Sequence, residues 1–192
     1  MIAIIDYGAG NIKSVKFALD RIGVDAIVTN NAEEIKQADK VIFPGVGEAS
    51  SAMLELQKYN LDKIIPSLKQ PVLGICLGMQ LMCDYSEEGD TNCLGIFPIK
   101  VEQFRTELKT PQVGWNNIFN LTTALFSGVK ENSYTYFVHS FYIPSNEYSI
   151  ADTEYDKVFS SAIKKDNFYA TQFHPEKSGD IGEQILINFL KI

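Results

Sequence analysis

The stretch Gly74-Ile75-Cys76-Leu77-Gly78, arriving directly after the apolar run Pro71-Val72-Leu73, constrains this chain more than any other. It reads as a buried strand that turns abruptly into a helix, with Cys76 at the turn, the cysteine version of a nucleophile elbow. Glycines on either side permit the sharp bend and keep side chains away from the thiol. The helix that follows aims its free N–H groups and positive dipole end at the sulfur. That favours thiolate over thiol, and the thiolate is the reactive form. On the pentapeptide alone, a core cysteine beside a strand-to-helix turn fits equally well.

A cysteine nucleophile acting on an amide needs a base that holds its proton and passes it to the leaving nitrogen. The chain has 2 histidines, His139 and His174. His174 ends the apolar strand Phe168–Phe173 and is followed by Pro175 and Glu176. Residues two apart in an extended chain point to the same side, so Glu176 is expected beside the imidazole, with Pro175 stiffening the link. A carboxylate there fixes the tautomer and stabilises the imidazolium. Cys76, His174 and Glu176 thus fill the roles of a triad. His139 is the competing base, ranked lower because no acid lies two residues away. A hydrogen-bonded histidine at a strand end is the bland alternative for His174 taken alone.

Strands and helices alternate through the first half. Ile2–Asp6 reads as a strand, and Ile12, Val15, Leu19 and Ile22 mark one face of a helix ending at Gly23. Ala26–Thr29 is a strand, Ala32–Ala38 a short helix, and Val41-Ile42-Phe43 a strand closed by Pro44-Gly45-Val46-Gly47. Helices are expected from Ala49 to Tyr59, from Leu61 to Leu68, and from Leu77 to about Tyr85, the last placing Cys83 in the core two turns beyond Cys76. After Gly89 the pattern predicts antiparallel strands at Ile99–Phe104, Asn117–Phe119, Tyr134–Ile143, Val158–Ile163 and Phe168–Phe173. A final helix follows Ser178 as N-cap and buries Ile181, Ile185, Leu186 and Phe189. The expectation is an α/β fold: an open, mainly parallel sheet with helices on both faces and antiparallel strands in the C-terminal half. Residues 1–192 read as a single domain.

Composition narrows the class. A net charge of −7 without a basic run argues against nucleic acid or an anionic membrane as partner. No apolar run approaches the ~20 residues of a membrane span. The opening Met1–Asp6 lacks a basic leader, and 3 cysteines without a framework pattern suit a reducing compartment, so a cytoplasmic protein is expected. Cys93 carries no signal. The Gly8-Ala9-Gly10 loop lacks the third glycine of a dinucleotide fingerprint, and Thr29-Asn30-Asn31 offers no acid for a ribose, so that reading is rejected. Neither metal nor organic cofactor is expected.

Gly-Ile-Cys-Leu-Gly-Met-Gln at 74–80 and His-Pro-Glu-Lys-Ser at 174–178 resemble the cysteine-triad class of glutamine amidotransferases. Within that class the chain is most similar to the glutaminase subunits of imidazole glycerol phosphate synthase, from histidine biosynthesis. Asp6-Tyr7-Gly8-Ala9-Gly10-Asn11, Pro44-Gly45-Val46-Gly47, Gly114-Trp115-Asn116 and Tyr136-Phe137-Val138-His139-Ser140-Phe141 carry the likeness across nearly the whole chain. The N–H of Leu77 is a natural oxyanion donor, and the resemblance supplies Val46 as the second, through reorientation of the Gly45–Val46 peptide. Gly45, Gly47, Gln80, Ser140 and Phe141 become the expected contacts of the substrate glutamine. Asn11, Trp115, Tyr136 and Lys177 are expected to face a (β/α)8-barrel cyclase partner that receives the ammonia. Trp115 also fits an ordinary core position. The chain departs from the family's usual His-Met before Gly-Trp-Asn, having Gln112-Val113, a change expected on the partner side. That leaves room for the same ammonia donor serving another acceptor, such as a sugar amidination system. A cysteine hydrolase releasing a free product, or a binding subunit with an idle triad, are the other readings.

Overall fold

The computed structural model describes residues 1–8 and 10–192; Ala9 of the Gly8-Ala9-Gly10 loop lies outside them. The first part of the chain alternates as β1 (Ile2–Ile5), α1 (Ile12–Arg21), β2 (Ala26–Thr29), α2 (Ala32–Gln37), β3 (Lys40–Gly45), α3 (Ala49–Lys58), α4 (Leu61–Ile64), β4 (Val72–Cys76) and α5 (Leu77–Leu81). Then come β5 (Cys83–Ser86), β6 (Thr91–Asn92), β7 (Phe97–Gln103), β8 (Gln112–Ile118), β9 (Ser133–His139) and β10 (Phe141–Tyr142). The chain closes with β11 (Ser149–Tyr155), β12 (Lys157–Lys165), β13 (Phe168–Thr171) and α6 (Gly179–Lys191).

The main sheet has the order β11-β12-β13-β4-β3-β1-β2. Its strands from β13 to β2 run parallel, while β12 and β11 extend it antiparallel. Ala3, Ile5, Val41, Phe43 and Val72 enter a core on one face with α2, α3 and α4. Ile4, Ile42, Leu73 and Ile75 enter the opposite core with α1 and α6. A strand buried on both faces has no polar side to show, which is why these segments are apolar at nearly every position. Local signals end the elements. Gly23, at φ 75°, closes α1, and the Asn31 side chain accepts the N–H groups of Glu33 and Glu34 to cap α2.

The second half departs from the sequence reading in instructive ways. The helix after Cys76 stops at Leu81 rather than near Tyr85, and Cys83 opens β5. The returning chain explains the break: Leu94, Ile96 and Gly95 donate their N–H groups to the carbonyls of Leu81, Met82 and Cys83. Pairing from outside the segment thus overrides its helical period. β13, expected among antiparallel strands, is antiparallel to β12 but parallel to β4, because the zigzag from β11 through β12 returns it in the direction of β4. The single strand expected over Tyr134–Ile143 divides at Ser140. β9 forms a ribbon with β8, while β10 joins β7, β5 and β6 in a separate sheet. β8 begins at Gln112, five positions before the expected Asn117, and β6 and β11 were not anticipated. Leu61–Leu68 is a short helix followed by a 3₁₀ turn over Ile65–Ser67 that contains Pro66. Among the described residues no helix is long and apolar enough to cross a membrane.

The elbow is fixed by two glycines packed back to back. A Cβ on Gly78 would lie 2.0 Å from the Phe43 carbonyl oxygen, and one on Gly45 would lie 2.8 Å from the Gly78 nitrogen. Neither obstacle is a flexible side-chain end, so a methyl must push α5 away from β3. Gly78→Ala is therefore expected to destabilise the protein by about 3 kcal/mol, read as a lower urea midpoint; an unchanged midpoint would show that α5 is free to shift.

Candidate active site

β4 delivers Cys76 to the carboxyl edge of the parallel sheet, in register with Gly45 of β3. Its backbone sits at φ 55°, ψ −109°, a conformation that L residues seldom adopt, and the surrounding packing holds it there. α5 spans only Leu77–Leu81, so it brings a smaller dipole than the longer helix expected; the N–H groups of its first turn remain at the sulfur's side. The thiol is buried, within 3.7 Å of the Val138 carbonyl oxygen and 3.8 Å of Gln172 Nε2.

His174 arrives from the neighbouring strand. Beyond Thr171 the chain stays pinned: Gln172 N–H donates to Ser161 O at 2.8 Å, and His174 N–H to Tyr136 O at 2.9 Å. Phe137, fully buried against Phe173 and Phe159, locks β9 over this segment. His174 Nδ1 lies 2.8 Å from Glu176 Oε1. The pair meets as expected but for a different reason. Pro175–Lys177 form a 3₁₀ turn, not an extended strand, and that turn swings Glu176 back under the ring. Ser178 occupies the N-cap position of α6 without capping it. Its hydroxyl donates instead to His174 O at 2.6 Å and accepts the Tyr136 N–H at 3.0 Å.

Asn11 behaves similarly. It stands at the N-cap of α1, makes no side-chain cap, and donates from Nδ2 to Glu176 Oε1 at 2.9 Å. One carboxylate oxygen therefore serves two donors, while Oε2 is buried without a partner among the described residues. Burial on its own would lower the His174 pKa; hydrogen bonds to Cys76 and Glu176 outweigh it and raise it to about 10. The arrangement favours a protonated imidazole between two acidic groups.

A cavity of about 300 Å³ opens over Cys76 and His174. Val46, Gly47, Leu77, Gln80, Ser140 and Phe141 are among the residues that line it. Gly45 is not in its wall; it lies behind, against Tyr7, whose hydroxyl donates to Pro44 O at 3.1 Å. Gln80 spends its amide hydrogens on Phe141 O at 3.0 Å and Gln172 Oε1 at 2.9 Å, which leaves only its oxygen for a ligand. Glu88 is the one carboxylate among the lining residues. It accepts the Ala49 N–H at 2.9 Å, and partial burial raises its pKa. Gln172 and Glu88 were not singled out from sequence. Gln172 could have been, since it stands two residues before His174; Glu88, in a polar turn far along the chain, gave no signal.

The residues expected to meet a partner lie together beside this cavity. Trp115, 56% exposed, is a surface residue and not a core one. It packs edge-on against Tyr136 at 5.9 Å between ring centres. Lys177 is exposed at the cavity rim, and Asn11 is half-buried behind Glu176. The Gln112-Val113 departure is divided between two environments. Val113 is 55% exposed beside Trp115, but Gln112 turns inward, its carboxamide 2.8 Å from His139 Nε2. The change at 112 thus sits behind the cavity-lining His139, correcting its expected place on the partner side.

His139 is fully engaged and unsuited to act as base. Its Nδ1 lies 2.7 Å from Phe141 O, and Nε2 faces Gln112. Burial lowers its pKa to about 4, so the ring is neutral with Nδ1–H donating. The folded state then binds fewer protons than the unfolded chain between pH 4 and about 6.5, and stability falls as pH drops through that window. The full contribution is about 3 kcal/mol. In His139→Gln, unfolding free energy should decline less between pH 7 and 4.5 than in the parent; parallel declines in urea titrations would contradict the buried neutral ring.

The class-I glutamine amidotransferase family model matches residues 3–192. The imidazole glycerol phosphate synthase subunit HisH of Bacteroides fragilis (strain YCH46) is 55% identical over 194 residues, covering 100% of this chain and 99% of its own. The Haemophilus influenzae (strain Rd) subunit of the same name is 49% identical over 192 residues, covering 99% and 96%. Among solved structures, a glutamine amidotransferase superposes with TM-score 0.78 at 16% identity over 100% of this chain and 98% of its own. A chain of PurLQS from Thermotoga maritima does so with TM-score 0.75 at 14% identity over 99% and 97%. These two show the shared fold, while the closer sequences carry the assignment. The chain belongs to the class-I glutamine amidotransferase family, within its group of imidazole glycerol phosphate synthase HisH subunits.

Proposed function

We propose that residues 1–192 form a single glutaminase domain that supplies ammonia for imidazole glycerol phosphate synthesis in histidine biosynthesis. The observation that carries this is Cys76 at a strained elbow, facing His174 paired with Glu176, on the wall of a cavity sized for one amino acid. The sulfur attacks the side-chain carboxamide carbon of glutamine. Charge then develops on the amide oxygen, and the N–H groups of Leu77 and Val46 hold it there. His174 gives its proton to the departing nitrogen, releasing ammonia and leaving a thioester on Cys76. Water attacks the thioester as His174 takes up its proton, and glutamate leaves with the thiolate restored. Glu176 keeps His174 oriented and balances its charge throughout. No metal or organic cofactor enters this sequence.

Substrate recognition follows from the charges at the wall. The α-ammonium of glutamine pairs with Glu88, and the Ser140–Phe141 backbone with the polar atoms beside it. Gln80 contributes an acceptor, its donors being engaged elsewhere. The face bearing Trp115, Tyr136, Lys177 and Asn11 docks a (β/α)8-barrel cyclase subunit as a heterodimer, a setting in which aromatic anchors are favoured. Ammonia passes from the cavity into that barrel rather than to solvent, in the cytoplasm. Of the Gln112-Val113 departure only Val113 reaches that face, Gln112 being buried against His139, which weakens the case for another acceptor such as a sugar amidination system.

The test uses the chain together with a barrel partner and its nucleotide ligand. Glutamine turnover should be much faster than for the chain alone; equal rates would favour a plain hydrolase. In the same complex, Cys76→Ala should reduce glutamine-dependent synthesis at least about a thousandfold while ammonium still supports it. Failure with ammonium as well would sink the donor role. Glu88→Gln should raise KM for glutamine between about tenfold and a hundredfold with little change in kcat; a loss confined to kcat would remove Glu88 from ammonium binding.

A further inference from the structure

Gln172 is fully buried and sits where a buried carboxamide is costly unless each end is matched. Its neighbours decide which end points where. The Phe141 carbonyl oxygen can only accept, so the end of Gln80 that lies 3.0 Å from it is the amide nitrogen. That same nitrogen stands 2.9 Å from the Gln172 side chain, which must therefore present oxygen to it. The NH₂ of Gln172 is left facing the Cys76 sulfur at 3.8 Å. Reversal would set two NH₂ groups against each other and an oxygen against the sulfur. The polarity at the nucleophile is thus dictated through two carboxamides by one backbone carbonyl.

A second contact of the sulfur makes this orientation consequential. The Val138 carbonyl oxygen, 3.7 Å away, accepts a proton from the thiol but repels the thiolate. The His174 imidazolium at the sulfur already favours the anion, the buried Tyr7 hydroxyl lies near it, and the Gln172 N–H adds a neutral donor to that balance. The Gln172 backbone is fixed by its main-chain N–H on Ser161 O at 2.8 Å, and its side chain is fully buried and held by Gln80. We propose that Gln172 is a catalytic residue, its amide N–H holding the Cys76 sulfur as thiolate, with Gln80 as the positioning residue that orients it. This rests on the reading of Cys76 as the nucleophile. It adds a donor to the sulfur itself, distinct from those at the substrate's oxyanion. The same N–H assists when the thioester breaks and the sulfur leaves as an anion.

The test is alkylation of the full chain by iodoacetamide across about pH 5–10, with the modified residue mapped by peptide mass spectrometry. Iodoacetamide is small and reports the thiolate without requiring glutamine to bind. Gln172→Met, similar in length but without a donor, should slow Cys76 alkylation about tenfold at about pH 7, with rates converging on the parent's at the alkaline end. Gln80→Met keeps Gln172 but frees its orientation, and should shift the profile in the same direction by about threefold; it also serves if Gln172→Met does not fold. A profile unchanged in both variants, or slowed equally at every pH, would overturn the donor role while leaving Cys76 as nucleophile. Absence of Cys76 alkylation in the parent chain would overturn that nucleophile reading and this inference together.

Discussion

The site depends on one pairing: β4 lies between β3 and β13, parallel to both. Parallel strands end at the same edge, so the register that sets Gly45 opposite Cys76 and Thr171 opposite Ile75 also brings their three following loops together. The loop after β3, Cys76 and the His174 segment are thus neighbours by sheet geometry, before any side chain is considered. The cost falls on Cys76, whose backbone conformation is worth about 1–3 kcal/mol of strain. Gly45 and Gly78 make that conformation tolerable, since only residues without side chains let β3 and α5 approach closely enough to hold the bend.

What the sequence disclosed follows the same physics. Strands β1, β3 and β4 were legible because burial on both faces makes them apolar throughout, and α1 and α6 because one face alone is buried. β5, β8 and β11 were obscure for the opposite reason. Their residues alternate or mix polarity, and they become strands only through partners far along the chain. Cys76, His174 and Glu176 were readable as residue types near turn signals. The extended-strand argument joining His174 to Glu176 reached the right neighbour through the wrong geometry, because a 3₁₀ turn does the work. No local pattern could reveal Asn11 on Glu176, a contact spanning 165 residues. Gln172, by contrast, shares its side of the strand end with His174 and was within reach.

The two histidines show how far environment divides one residue type. His139 is ringed by phenylalanines and neutral amide groups, with no anion to reward a charge, and burial drives its pKa down to about 4. His174 is also buried, yet Cys76 and Glu176 on either side carry it the other way, to about 10. Opposed shifts of this kind separate structural from chemical roles within one cavity. His139 braces the Ser140–Phe141 wall as a neutral ring, while His174 holds its proton between Cys76 and Glu176.

The face proposed for a partner is bonded directly to this machinery. Tyr136 holds the His174 N–H through its carbonyl and the Ser178 hydroxyl through its own N–H. Asn11 holds the Glu176 carboxylate, and Lys177 is the next residue along the chain. Both Asn11 and Ser178 stand at helix N-caps yet forgo capping, a contact usually worth about 1 kcal/mol, to serve the histidine segment instead. At both positions a helix cap is given up for a hydrogen bond that fixes the His174–Glu176 pair. Tyr136, in edge-on contact with the exposed Trp115, is thus one hydrogen bond from His174, and the exposed aromatic pair and the buried imidazole are joined through a single strand residue.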